Sequence, residues 1–390
     1  MNHKQPKYSF IKYALEKRAL EHRLRTLISL EPSLDKSVIN IEGRKYLNFS
    51  SNDYLGLSTH PAVVQRSKDY LEKFGASSSS SRLITGTLSI HEQLEKKLSD
   101  TFGYESALIF NSGFQANLSI LSALADRNSV IFIDKKCHNS LIQGTILSRA
   151  TIKRYHHNNY EHLEELISAA QTSSYNRKII VSETVFSMDG DRCDMDALIH
   201  IANKYNALFY SDDAHALGVL GTQGLGLNYG KKAVDIGIGT FGKSCGGFGA
   251  FVGCSKQMKE YLINFASGFI YSTALPPSVI GALDAAIELI PSMENERRHL
   301  FNLLDYIITD LKHTFDIGNS ESQILPIIIG DESKVIKFSN YLQDNGLWVS
   351  SIRPPTVEEG ASRIRITLSA RHTKEHVQQL VKVMKSWNNG

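Results

Sequence analysis

The chain has 390 residues, 42% hydrophobic and 21% charged, with a formal net charge of +3. That is ordinary for a globular enzyme of two or three packed units, and too weakly basic to argue for a nucleic-acid or acidic-membrane partner. The four cysteines (Cys137, Cys193, Cys245 and Cys254) form no Cys-x-x-Cys pair and show no zinc-ligand spacing, so no metal is expected. Their simplest reading is reduced, buried thiols in a cytoplasmic protein. No apolar run reaches signal-peptide or membrane-span length, so no membrane association is expected.

In chain order, residues 9–29 read as an amphipathic helix, with Ile11, Ala14, Leu15, Ala19, Leu20, Leu24 and Leu27 near helical spacing. INIEGRKYLNFSSNDYLG follows as strand, turn and strand, and Asn52-Asp53 leads into a polar turn. Ser77 to Ser81 are five consecutive serines. From residue 100 the strand-like runs are 106–110, 129–134, 178–185, 207–215 and 235–241, mostly separated by helical patterns. Such alternation argues for a mainly parallel sheet covered on both faces, with chemistry at the carboxyl ends of its strands. A helical region at 275–315 precedes strand-like runs at 323–330, 347–352 and 362–368, a helix near 332–345 and a final helix. The expected division is a 1–45 helical arm, a 46–290 large α/β unit and a 291–390 small α+β unit.

Three of the expected strands end in polar clusters. Lys243 sits among glycines in GTFGKSCGGFGAFV, where a lysine can form a Schiff base with an aldehyde cofactor. The octapeptide from Gly237 to Ser244 also matches the phosphate loop G-x-x-x-x-G-K-S. A phosphate loop must open a helix, however, and the glycines after Ser244 oppose one. Asp212-Asp213-Ala214-His215 offers a carboxylate to a pyridine nitrogen, with a histidine in reach of the same ring. Its plainer reading is an N-cap followed by a helix start. Asn111 to Asn117 turns a strand into a helix whose free amides suit a phosphate. His138 opens the next helix, to stack on a flat ring or lie on the surface. Glu183 and Ser187 follow another strand end; Asp189, Asp191, Asp194 and Asp196 lack calcium-loop spacing and read as turn and N-cap. Arg363 and Arg365, two apart on a strand, share a face, and Arg353 precedes them; arginine holds a carboxylate bidentately.

Together SSNDYLGL, SGFQAN, ETVFSMDGD, DDAHALGVLG, GTFGKSCG and YSTALPP resemble the α-oxoamine synthase family of pyridoxal-phosphate (PLP) enzymes of fold type I, across nearly the whole chain. The resemblance implies a large domain with a mainly parallel seven-stranded sheet, a small C-terminal α+β domain, and a homodimer with sites at the interface. IRPPTVEEG resembles the branch that joins L-alanine to a pimeloyl thioester, of coenzyme A or an acyl carrier protein, with loss of carbon dioxide in biotin biosynthesis. Relatives that join another amino acid, such as glycine, to another acyl thioester are the alternative.

The resemblance makes Lys243 the Schiff-base lysine and, once freed, the base at the amino acid α-carbon. Asp212 becomes the pyridine-nitrogen partner, His215 contacts the phenolic oxygen and His138 stacks on the ring. Gly113, Phe114, Ser187 and Thr240 line the cofactor and its phosphate, and Thr273 reaches the phosphate of the partner subunit. Asn52, His138, Arg25, Arg353, Thr356 and Arg365 fall to the substrates, with Arg365 first for the amino acid carboxylate. Many relatives carry several glycines where this chain has Ser77 to Ser81, which bears on acyl-chain preference.

Overall fold

The structure, a computed structural model, describes residues 7–31, 33–35 and 37–387. The chain opens with α1 (Ser9–Leu20), the hairpin β1 (Val38–Ile41) and β2 (Arg44–Asn48), and helices α2 (Pro61–Phe74) and α3 (Ser89–Phe102). The alternating part follows: β3 (Ser106–Phe110), α4 (Gly113–Leu124), β4 (Ser129–Asp134), α5 (Asn139–Ser148), β5 (Thr151–Tyr155), α6 (Tyr160–Ala169), β6 (Arg177–Glu183), α7 (Met195–Lys204), β7 (Leu208–Asp212), β8 (Ile236–Thr240) and β9 (Ala250–Cys254). Helices α8 (Lys256–Phe265), α9 (Ser267–Ile270), α10 (Pro277–Leu289) and α11 (Glu294–Leu311) lead to β10 (Ile324–Gly330), α12 (Glu332–Asp344), β11 (Leu347–Trp348), β12 (Ser350–Ile352), β13 (Ser362–Thr367) and α13 (Lys374–Lys385).

Seven strands form one sheet in the order β3-β9-β8-β7-β6-β4-β5. All neighbours from β8 to β5 pair in parallel, and only β9 runs against its neighbours β8 and β3. Period-two geometry explains its two cores. On β3, Leu108 and Phe110 pack into one apolar cluster with β4, β6 and α7, while Ala107 and Ile109 pack into another with α3 and α10. Each fully buried side chain of this size contributes about 1.5–3 kcal/mol. A third cluster joins α11, α12, α13 and the antiparallel sheet β10-β13-β12 to Phe49, Tyr54 and Ala216. The fold is therefore the α/β arrangement expected for fold type I.

Two expectations need correction. The leading helix ends at Leu20, not near 29, and buries no residue. Its apolar residues spread around the helix instead of lining one face: Tyr8, Phe10, Tyr13, Leu15 and Leu20 are exposed, and His22 follows the helix in the left-handed region at φ 55°. The run 347–352 is two strands: β11 pairs with β2, and β12 pairs with β13.

Candidate active site

The parallel strands end on one side of the sheet, and their carboxyl ends bring the candidate residues together. A cavity of about 290 Å³ is lined by Asn52, Gly113, Phe114, His138, Asp212, His215, Thr240 and Lys243, each picked out from sequence. Ser112, Asn117, Ser140, Glu183 and Phe248 also line it.

Asp212 ends β7, and its carboxylate accepts from Asn117 Nδ2 at 2.8 Å and from the Ala214 amide at 3.0 Å. Its neighbour Asp213 belongs to the framework: it accepts from Thr184 Oγ1 and the amides of Leu227 and Asn228, and burial pushes its pKa up to about 7. Asn117 is held in turn by Tyr210, whose hydroxyl donates to Asn117 Oδ1 at 2.7 Å. Asn117 Nδ2 also donates to Ser140 Oγ, which lies 2.8 Å from His138 Nδ1. A buried polar chain thus runs from Tyr210 through Asn117 to both Asp212 and His138. In the sequence Asn117 falls inside the strand-to-helix turn with nothing to mark a role, and Ser140 and Tyr210 stand in no motif.

His138 caps α5, its side chain accepting from the Ser140 amide. Part of it faces solvent, yet withdrawal from water and the nearby Lys243 ammonium push its pKa below the usual value, with Asp212 opposing. Glu183 ends β6 in register with Asp212 and accepts from the His138 amide. Burial, and then the Asp212 charge, raise its pKa well above the carboxylate range.

Lys243 follows β8 and donates from Nζ to Thr240 Oγ1 at 3.1 Å. Burial, then Arg365, lower its pKa, while Asp212 and Glu183 oppose the change. The next residues turn rather than coil: the Gly246 amide donates to Lys243 O, and Gly246 sits at φ 59°. β9 then begins at Ala250, so no helix follows Lys243 and the phosphate-loop alternative fails.

The fit to a ring aldehyde bearing a phosphate is direct. Gly113 opens the 12-residue α4, and a Cβ there would lie 2.5 Å from Thr240 Cγ2. Backbone and Thr240 meet too closely for any side chain, and the first-turn amides beyond the Ser112 cap have no helical acceptor. An anion end, a ring-sized space beside His138, a carboxylate and a lysine therefore face one cavity. Among the described residues no group of three or more His, Cys, Asp or Glu could hold a metal ion.

The other candidates lie outside the cavity lining. Arg365 is buried on β13, its Nε donating to Ser187 O at 2.6 Å and its terminal nitrogens lying 3.3 and 3.4 Å from Asn52 Oδ1. Arg363 is committed to Asp189 at 2.7 Å. Arg25 donates to Thr356 Oγ1 at 3.0 Å, and Arg353 donates to His22 O, both at an exposed loop. Thr273 bridges to Ser81, away from its own chain's cavity.

Residues 44–384 match the family described as aminotransferase class I and II. The chain belongs to that family. A Desulfosudis oleivorans protein provisionally named 8-amino-7-oxononanoate synthase is 44% identical, over 98% of this chain and 99% of its own. A serine palmitoyltransferase structure from Sphingomonas wittichii superposes with a TM-score of 0.92 at 28% identity, covering 98% of both chains. An 8-amino-7-oxononanoate synthase structure from Francisella tularensis gives 0.74 at 28% identity, covering 87% of this chain and 96% of that one. Within the aminotransferase family the chain is an α-oxoamine synthase, a PLP-dependent acyltransferase. Among the described residues no helix is long and apolar enough to cross a membrane.

Proposed function

We propose that this enzyme condenses L-alanine with a pimeloyl thioester, of coenzyme A or a carrier protein, and releases carbon dioxide: the 8-amino-7-oxononanoate synthase reaction of biotin biosynthesis. The observation that carries the site reading is the meeting of Asp212 and Lys243 in one cavity, from the ends of adjacent parallel strands, beside His138 and His215. The choice of alanine and pimeloyl group rests on the relatives that bear that name at 40–46% identity.

Lys243 would hold PLP covalently, Asp212 would pair with the ring nitrogen, and His138 would cover a ring face. His215 would meet the phenolic oxygen, with Gly113, Phe114, Thr240 and Ser187 around the cofactor and its phosphate. Bound there, the cofactor supplies an electron sink that lets an amino acid α-carbon lose a proton. Lys243, with its lowered pKa, takes and returns that proton at the α-carbon. Asp212 would face the ring nitrogen, and the Tyr210–Asn117 chain holds its carboxylate in place. Arg365 is the carboxylate anchor in preference to Arg353: it is buried next to Asn52 of the cavity wall and bonds neutral oxygens that a carboxylate can displace, whereas Arg353 lies exposed and donates to His22 O. Arg25 and Thr356, already joined, would meet the acyl donor.

We also infer a homodimer. Exposed Phe114, Ile146, Leu147, Phe248, Phe265 and Tyr271 favour a covered face, and Thr273 would then serve the partner's phosphate site. The four free, buried cysteines favour a cytoplasmic protein. The division into 1–45, 46–290 and 291–390 is supported by the apolar cluster centred on α11 to α13, which the 46–290 unit joins through Phe49, Tyr54, Val185 and Ala216.

Turnover with alanine, glycine or serine against pimeloyl thioesters, read by product mass, tests the reading. An amino-ketone from alanine, at least tenfold faster than from glycine or serine, is expected. Preference for serine with a long acyl thioester would instead favour the serine palmitoyltransferase likeness.

A further inference from the structure

Tyr54 is fully buried, and its hydroxyl oxygen lies 2.7 Å from His215 Nδ1 and 3.1 Å from Asn52 Oδ1. A phenol has one hydrogen to give, so only one of these contacts is donated by Tyr54. Arg365 decides which. Its two terminal nitrogens approach the same Asn52 atom, and a guanidinium only donates. Asn52 must therefore present its amide oxygen, which also accepts from Tyr54. The contact to His215 is then donated by the imidazole.

His215 is buried, and the nearby charges of Lys243 and Arg365 further oppose its protonation, so it is neutral and carries a single N–H. That hydrogen sits on Nδ1. Nε2 is left as a bare lone pair on a residue that lines the cavity.

We propose that Tyr54 is a positioning residue: it holds His215 as the Nδ1–H tautomer, so that Nε2 meets the bound ligand as a hydrogen-bond acceptor, and it links that choice through Asn52 to Arg365. The ligand chemistry this recognises is a hydroxyl on an aromatic ring. One hydrogen-bonded line, Arg365–Asn52–Tyr54–His215, then joins the carboxylate anchor to the residue at the ring oxygen. In the C-terminal part of the fold, Gln323 steadies the same histidine by donating to its backbone carbonyl at 2.8 Å.

The deciding measurement is nitrogen-15 NMR of the full-length protein labelled at histidine, with His215 assigned by comparison with His215→Gln. Wild type should show protonated Nδ1 and bare Nε2 for His215. Tyr54→Phe keeps the ring and removes only the hydroxyl; it should move the proton wholly or partly to Nε2. A wild-type spectrum with Nε2 protonated overturns the proposal without any variant. An unchanged His215 tautomer in Tyr54→Phe overturns it as well.

A second readout rests on the PLP reading and fails separately from the first. In loaded Tyr54→Phe, Nε2–H would now donate to the ring oxygen and favour its anion. The pH midpoint of the bound cofactor's absorbance should fall by about one unit, a tenfold loss of proton affinity. An unmoved midpoint in a variant that binds the cofactor sinks the coupling. Absence of any cofactor band in wild type sinks the cofactor reading and leaves the NMR result standing.

Discussion

His157 offers the sharpest electrostatic test of how the wall behind His138 is held. Its Nδ1 lies 3.0 Å from Asp134 and its Nε2 2.7 Å from Asp191. Asp134 ends β4, four residues before His138, and Asp191 lies in the turn after β6 that also carries Ser187. The clamp therefore ties together two segments that frame the site. Burial works against the imidazolium, but the two carboxylates win and raise its pKa from 6.5 to about 9. The gap is about 2.5 pH units, which at about 1.4 kcal/mol per unit corresponds to about 3–4 kcal/mol. The side chain is only 16% exposed, so solvent screening takes little from this figure. A raised pKa stabilises the fold below the unfolded value. The contribution is full below pH 6.5 and is lost as pH rises through about 9. His157→Gln keeps the size and one hydrogen bond but not the charge. Its unfolding free energy, from urea melts at constant ionic strength, should fall about 3 kcal/mol short of wild type at pH 6. The deficit should shrink to under about 1 kcal/mol at pH 10. An equal deficit at both pH values would refute the charge argument and leave shape as the cause.

Lys243→Ala should fold normally, show no covalently bound cofactor by absorbance, and lose turnover by about a thousandfold or more, a general-base loss compounded by lost anchoring. Gly113→Ala places a methyl 2.5 Å from Thr240 Cγ2 at the start of α4; PLP affinity by fluorescence titration should drop at least tenfold, with far-ultraviolet circular dichroism unchanged. Ser79 sits at φ 60° within the serine run, so Ser79→Gly should raise stability in urea melts by about 0.5–1 kcal/mol.

What the sequence revealed was the part of the site built from local order. Asp212, His138 and Lys243 each sit at or just after a strand that is apolar and short enough to read, and a parallel sheet delivers such ends to one side. The edge strand β5 escaped because TIKRY leaves its middle three residues exposed and has no apolar run to announce it. The failure at α1 has the opposite origin. Its apolar residues are numerous but spread around the whole helix once it ends at Leu20, so they present no single face to pack, and among the described residues none of the helix is buried.

The residues that hold the catalytic candidates in place were illegible for a stricter reason. Asn117 reaches Asp212 across 95 positions, Tyr54 reaches His215 across 161, and Asn52 reaches Arg365 across 313. No period or motif encodes such pairs, because each partner alone is an ordinary polar residue beside a strand or turn. They become visible only through burial, since a buried polar atom must find a partner and only a few are within reach. The same constraint favours Arg365 over Arg363 in the proposed role of carboxylate anchor. Both are buried on one face of β13, but Arg363 is already ion-paired with Asp189, while among the described residues Arg365 bonds carbonyl and amide oxygens and no carboxylate. A buried guanidinium without a carboxylate is costly, and an incoming amino acid carboxylate removes that cost. Arg365→Ala should therefore raise the KM for the amino acid far more than Arg363→Ala, while Arg363→Ala should cost stability; the reverse pattern would place the substrate carboxylate elsewhere.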